Sequence, residues 1–197
     1  MTQLSNDCFK HSKKRISLEK AISILKKRIK FIKKTEIIKL DHSLGRILSK
    51  DIISKINVPS FNNSAVDGYA FKHSDLNKKS ETSLKLFGRI IAGQNFNKKI
   101  KKGEIIRIFT GAPVPLEADT VVMQEYTNKK EGQVLINPHK FVKGSNIRLK
   151  GEHLSVGDEV LAKGHLINEN SIGLLASLGV EMVYVNKKPD VGIVVTG

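Results

Sequence analysis

Between Pro59 and Ile147 the chain is cut repeatedly by turn formers, and that punctuation limits what it can fold into. Gly93, the Asn95-Phe96-Asn97 stretch, Gly103, Pro113-Val114-Pro115, Gly132 and Gly144 fall between short apolar runs. No long helix survives such spacing, because glycine and proline end helices and shape turns instead. The runs between them read as strands at Ser83–Ile91, Glu104–Phe109, Thr120–Gln124, Val134–Ile136 and near Ile147. Closely spaced short strands predict a small β-barrel or sandwich.

The flanks read differently. From Ser17, the residues Leu18, Ala21, Ile22, Leu25, Ile29 and Ile32 recur at three- and four-residue steps. That period predicts a helix with one apolar stripe, expected to pack on the protein's own core. Ser17 suits the N-cap, Glu19 the first turn, and Lys26, Lys27, Arg28 and Lys30 the C-terminal half. Residues 1–16 lack a pattern and are expected to be a disordered tail. Thr35–Leu40 reads as a strand, Asp41–Leu48 as a short helix and Asp51–Val58 as extended. Further on, "SVGDEVLAKGHLI" reads as a hairpin-like pair and "NENSIGLLASLG" as a short helix with Asn168 or Asn170 as cap and Gly179 as its C′ residue. "EMVYVNKKP" then reads as a strand. "PDVGIVVTG" reads as a fully apolar strand of the kind buried in a parallel sheet, so the chain is expected to stop at the first strand of an α/β domain.

Composition narrows the function classes. The chain has 197 residues and a net charge of +15, with 34 Lys plus Arg against 19 Asp plus Glu. Lysine far outnumbers arginine and there is no tryptophan, which speaks against a nucleic-acid reader. No apolar run reaches about 18 residues, so no membrane-spanning helix is expected. Cys8 is the single cysteine, and the six histidines are scattered. Neither a disulfide framework nor a clustered zinc site is expected. The cytoplasm is the default location.

Three loops can carry chemistry. In "PSFNNSAVDGYAF" one acidic residue, Asp67, stands in a lysine-free run bounded by Gly68, with Phe61, Tyr69 and Phe71 on its flanks. A lone carboxylate there can bind Mg²⁺ together with substrate phosphates. It can equally be a turn-forming Asp that caps a neighbouring strand. In "FTGAPVP" the Thr110 hydroxyl and exposed amides at Gly111 form a concavity for an anion, or simply a rigid turn. In "NIRLKGEH" Arg148 and Lys150 supply positive charge near Glu152.

Taken in order, these stretches resemble the N-terminal part of the molybdopterin molybdenumtransferase family, which includes the E domain of gephyrin. "SLGRILSKDIISKINVPSFNNSAVDGYAF" resembles the family's G-R-x-L-A and P-x-F-D-N-S-A-M-D-G-Y-A motifs. "IIRIFTGAPVPLEADTVVMQE" resembles R-I-M-T-G-A-P-x-P followed by D-x-V-V-x-Q-E. "NIRLKGEHLSVGDEVLAKGHLI" resembles N-I-R-x-x-G-E-D with its later glycine. The departures are Asn62 for Asp, Val66 for Met and His153 for Asp. The resemblance implies an α+β fold. Residues 17–57 plus 150–187 would form an elongated, discontinuous first domain, the linker and dimerisation domain. Residues 58–149 would form an inserted β-barrel-like second domain, and 188–197 the stub of a molybdopterin-binding α/β third domain.

For function, the resemblance implies insertion of molybdate into adenylylated molybdopterin with release of AMP, assisted by Mg²⁺ or another divalent cation. Asp67 and Thr110 would be catalytic, with Asp67 on the metal. Ser64, Gly68, Gly111 and Arg148 would bind substrate. The implied partners are a second copy in a homodimer and either the missing α/β half or an adenylyltransferase. The alternatives are a non-catalytic dimerisation or binding fragment and a basic nucleic-acid-binding protein.

Overall fold

A computed structural model describes residues 16–195 except 31–32, 78, 95, 97–98 and 138–140. The expected tail, Ile32 of the helix stripe, Asn95 and Asn97 of the turn and the final Thr196-Gly197 therefore lie outside the described residues, apart from Ile16.

Helix α1 (Leu18–Arg28) begins as its sequence requires. The Ser17 hydroxyl accepts the Lys20 backbone N–H at 3.3 Å, and Lys26, Lys27 and Arg28 close the last turn against the helix dipole. Its apolar stripe does not pack on the core as expected. None of its residues is buried, and Leu18 and Leu25 remain 73% and 56% exposed. The periodicity was enough to form the helix, but the buried clusters draw only on residues from Ile38 onward.

Strand β1 (Thr35–Lys39) runs into a 3-10 turn at Leu40–His42, not the longer helix expected over Asp41–Leu48. Gly45 explains the difference: it sits at φ +72°, a left-handed conformation that stops a right-handed helix. Strand β2 is Ile52–Ile53 and β3 is Asn63–Ser64. Then β4 (Gly68–Phe71), β5 (Thr82–Ile90), β6 (Glu104–Ile108), β7 (Thr120–Met123), β8 (Thr127–Lys130) and β9 (Gln133–Ile136) form a six-stranded sheet in the order β7-β4-β6-β5-β9-β8. Only β5 and β6 pair in parallel. The fold is mixed α+β with few helices, and this sheet curls into a half-barrel.

The GYAF run of β4 is the heart of that sheet. It is buried along its whole length and pairs antiparallel with β6 on one side and β7 on the other. Its side chains alternate between two cores, as a strand must. Tyr69 and Phe71 join Leu84, Ile105, Val122, Val134 and Ile136, whereas Ala70 joins Ile90, Ile106, Ile108 and Val121.

Strand β10 (Ile147–Arg148) pairs with β3, and β11 (Glu159–Leu161) pairs with β2. The expected hairpin within "SVGDEVLAKGHLI" is thus replaced by pairing with a strand about a hundred residues earlier, and Leu166 bridges to Ile47. Helix α2 (Glu169–Ser177) carries a full capping box between Asn168 and Ser171, and Gly179 follows it at φ +72°. Strand β12 (Met182–Asn186) returns to pair with β1. Leu40, Leu48, Ile167, Leu175, Val183 and Val185 make a third buried cluster here. The apolar strand expected in "PDVGIVVTG" does not form among the described residues: Ile193 and Val194 are 85% and 86% exposed. A strand needs a partner for its backbone groups, and none of the described strands reaches it.

Arg46 ties this third cluster together. Its guanidinium, 11% exposed, bonds the Glu36 carboxylate on β1 and donates to the Asn186 carbonyl of β12 at 2.8 Å. Replacing it removes two charge-assisted bonds across one strand pair. Arg46→Met is expected to cost about 2 kcal/mol of stability, because Glu36 is still partly hydrated. Urea unfolding followed by circular dichroism measures this, and a cost below about 0.5 kcal/mol would mean that solvent replaces both bonds without loss.

Candidate functional site

The site grows from the loop between β3 and β4. Ser64 is buried and folds the loop around its own hydroxyl. That hydroxyl donates to the Val66 carbonyl at 2.6 Å and accepts the Val66 N–H at 3.3 Å. The Ser64 N–H bonds the Ala112 carbonyl, its carbonyl takes the Gly111 N–H, and Ala65 N–H reaches the Asn146 carbonyl. The loop is thereby fixed to the turn after β6 and to the entry of β10. The Ser64 hydroxyl, expected from the resemblance to bind substrate, makes its bonds within the loop.

Gly68 follows, buried in the sheet. A Cβ built there would lie 1.9 Å from the Val122 carbonyl oxygen. Only glycine lets β4 and β7 approach this closely, so Gly68 serves the packing of the strand. Its position aims the preceding residue out of the sheet.

Asp67 is that residue, and its carboxylate is exposed. The Thr110 backbone N–H and hydroxyl both donate to its Oδ1, at 2.8 and 2.7 Å. These two bonds, the backbone one foremost, hold the Asp67 carboxyl below its ordinary range; desolvation opposes them, and the charge of Arg107 adds the least of the four effects. The group is ionised at neutral pH. Its second oxygen, Oδ2, has no hydrogen bond among the described residues and faces outward.

This geometry corrects the expected anion concavity at Thr110-Gly111-Ala112. The amides are all engaged: Thr110 on Asp67, Gly111 on Ser64 and Ala112 on Phe109. The anion that the turn receives is the protein's own carboxylate. The capping alternative for Asp67 is also realised in part. Asp67 caps the end of β6 across 43 residues of chain, not within a local turn.

Arg148 lies on β10 opposite Asn63, next to the loop, and is exposed. No bond joins it to Asp67 or Thr110 among the described residues. The exposed His153 donates only its backbone N–H to the Val58 carbonyl. The residue that sequence reasoning missed is Arg107, whose guanidinium lies beside this loop. A single arginine inside the apolar run "EIIRIF" was the available signal.

Among the described residues no three His, Cys, Asp or Glu side chains gather as a metal cage. The donor set is one ionised carboxylate with one open oxygen. It fits a divalent cation that brings other ligands from a phosphate and water, and does not fit a closed all-protein site.

The half-barrel presents one ionised, open carboxylate at the start of an inner strand. The family to which it belongs is clear from comparison. The model of the MoeA N-terminal region (domain I and II) matches residues 16–179, and the chain belongs to that family. It is 37% identical over 182 residues to the molybdopterin molybdenumtransferase of Haemophilus influenzae, covering 92% of this chain and 45% of that protein. It is 38% identical over 185 residues to the one from Staphylococcus epidermidis, covering 92% and 44%. Two crystal structures of a molybdopterin biosynthesis MoeA protein from Pyrococcus horikoshii superpose with TM-scores of 0.76 and 0.79 at 33% and 29% identity. They cover 89% and 87% of this chain, and 45% and 46% of theirs. The chain thus spans about half the length of the relatives it matches.

Two outcomes test the site's construction. Gly68→Ala is expected to lose more than about 3 kcal/mol, because the clash is with backbone and not with a movable side chain; chemical denaturation reads this. Thr110→Ala removes the hydroxyl bond, whereas Thr110→Ser keeps it. Asp67 has a lowered folded pKa, so its bonds stabilise the fold above its unfolded pKa, roughly 3.9, and that gain is lost as pH falls through the folded value. The stability gap between wild type and Thr110→Ala should therefore be present at neutral pH and shrink in acid. A gap that does not change with pH would mean that the hydroxyl acts without the carboxylate's charge.

Proposed function

We propose that the chain takes part in molybdenum cofactor biosynthesis as the N-terminal portion of a molybdopterin molybdenumtransferase. The reaction is insertion of molybdate into adenylylated molybdopterin with release of AMP. One observation carries the reading: the ionised, outward-facing carboxylate of Asp67, fixed by Thr110, in a chain that belongs to this family over residues 16–179.

The roles follow from what each group can do. Asp67 holds its charge at neutral pH and offers Oδ2 to a cation or a proton-bearing group. A divalent cation such as Mg²⁺, held by Asp67, would polarise a phosphoryl oxygen. Thr110 keeps the carboxylate from rotating, so its contribution is positional. Ser64, Gly68 and Gly111 build the loop that presents it. Arg148, exposed on the neighbouring strand, offers a fork of donors to an anionic oxygen of the nucleotide-pterin substrate or of molybdate.

The relatives' greater length supports a cleft completed by further sequence. We propose the corresponding division: residues 17–57 with 150–187 as one unit, 58–149 as a second, and 188–197 leading into an α/β domain. A homodimer in the cytoplasm is part of the same reading. Among the described residues no helix is long and apolar enough to cross a membrane.

The test is a chimera. Residues 16–179 replace the matching region of the Haemophilus influenzae relative, and AMP release from adenylylated molybdopterin is followed with molybdate present. The chimera is expected to turn over. In it, Asp67→Asn should lower the rate at least about tenfold, with the melting temperature nearly unchanged. A well-folded chimera with no turnover would overturn the reading. So would an Asp67→Asn variant as active as its parent.

A further inference from the structure

Arg107 stands near the end of β6, between Ile106 and Ile108, both fully buried. Its guanidinium carbon lies 4.6 Å from the centre of the Phe109 ring and 5.1 Å from that of Tyr69. Nη1 donates to the Gly68 carbonyl at 3.1 Å, and Nη2 bonds the Gln124 side-chain oxygen. Gln124 in turn donates its backbone N–H to the Asp67 carbonyl at 3.1 Å, and its side-chain amide to Glu125 at 3.1 Å. The guanidinium thus engages, directly or through Gln124, the carbonyls of both residues at the base of the exposed carboxylate. Of the charged side chains, Arg107 on β6 acts on the Asp67 carboxylate, Glu125 accepts from the Gln124 side chain, and Arg148 on β10 pairs with Asn63 of β3.

This is more than strand packing requires. A flat cation flanked by two rings cannot slide, and its two amino groups are tied to different elements, β4 and the turn after β7. Lysine could keep the charge but not bridge both acceptors in one plane. We propose that Arg107 is the positioning residue for Asp67, fixing where the carboxylate stands through the backbone at its base, an inference that rests on Asp67 being the working group of the site. It acts through Asp67 and Gly68 and touches no reacting atom itself.

Two variants test it, Arg107→Gln and Arg107→Lys. In the 197-residue chain at neutral pH, NMR follows the Thr110 amide proton, which is bonded to the Asp67 carboxylate and reports where that carboxylate stands. The expected result is a weakened bond in Arg107→Gln, read as an upfield shift and faster solvent exchange of that proton, with Arg107→Lys between Arg107→Gln and wild type. In the chimera described above, both variants should lower kcat more than they raise KM, because the carboxylate is displaced and substrate binding is largely retained. If Arg107→Gln fails to fold, Arg107→Lys carries both measurements. An unchanged Thr110 amide in the folded variants would overturn the proposal, even with a lowered kcat, since Arg107 would then act on some other group. An unchanged kcat alongside a weakened Thr110 bond would overturn it too, as position would not matter. The amide is read without substrate, so its failure is separate from failure of the molybdenum-transfer reading.

Discussion

The distance between β4 and β7 governs the rest of this structure. At Gly68 the Val122 carbonyl occupies the space that any side chain would need. That approach lets a fully buried strand sit between two antiparallel neighbours, with one apolar face in each of two cores. It also decides where the strand begins. The residue before Gly68 is the last one outside the sheet, and it is the acidic one. The carboxylate stands at the sheet's edge because the strand behind it is locked, and the strand is locked because glycine permits the contact.

Much of the strand framework was legible in the sequence. The runs around Thr82–Ile90, Glu104–Ile108 and Thr120–Met123 had β-branched residues and clear turn signals at their ends. The GYAF run was not read as a strand, although it is an inner one buried along its whole length. It is only four residues long, starts with glycine and has no alternation of polar and apolar residues, because both its faces are buried. The pairing of β11 with β2 was likewise hidden, since nothing local records a partner so far away. Helix α1 shows the opposite failure. Its stripe has helical period and its caps are in place, so the helix was legible, but period alone does not say whether a surface meets the stripe.

For the site, both Asp67 and Thr110 were legible as unusual residues, one by its isolation and the other by its place before a glycine at a strand end. That they bond each other was not. The sequence reading placed an external anion at the Thr110 turn, whereas the turn's donors are satisfied from within the chain. Arg107 was overlooked because a single charge in an apolar strand looks like an outward-facing residue. Its partners are two carbonyl-type oxygens and two rings brought together only by the fold.

The topology has a consequence for the timing of synthesis. Asp67 leaves the ribosome before Arg107, Thr110, Val122 and Gln124, all of which it or its neighbour Gly68 contacts. At roughly 5–20 residues per second, the loop spends seconds without these partners. During that interval GYAF is an apolar segment with no strand on either side, the kind of edge that recruits other chains. The lysine-rich stretches on both sides of it, already translated or soon to be, keep nascent copies apart by charge at the stage when the future site is least protected.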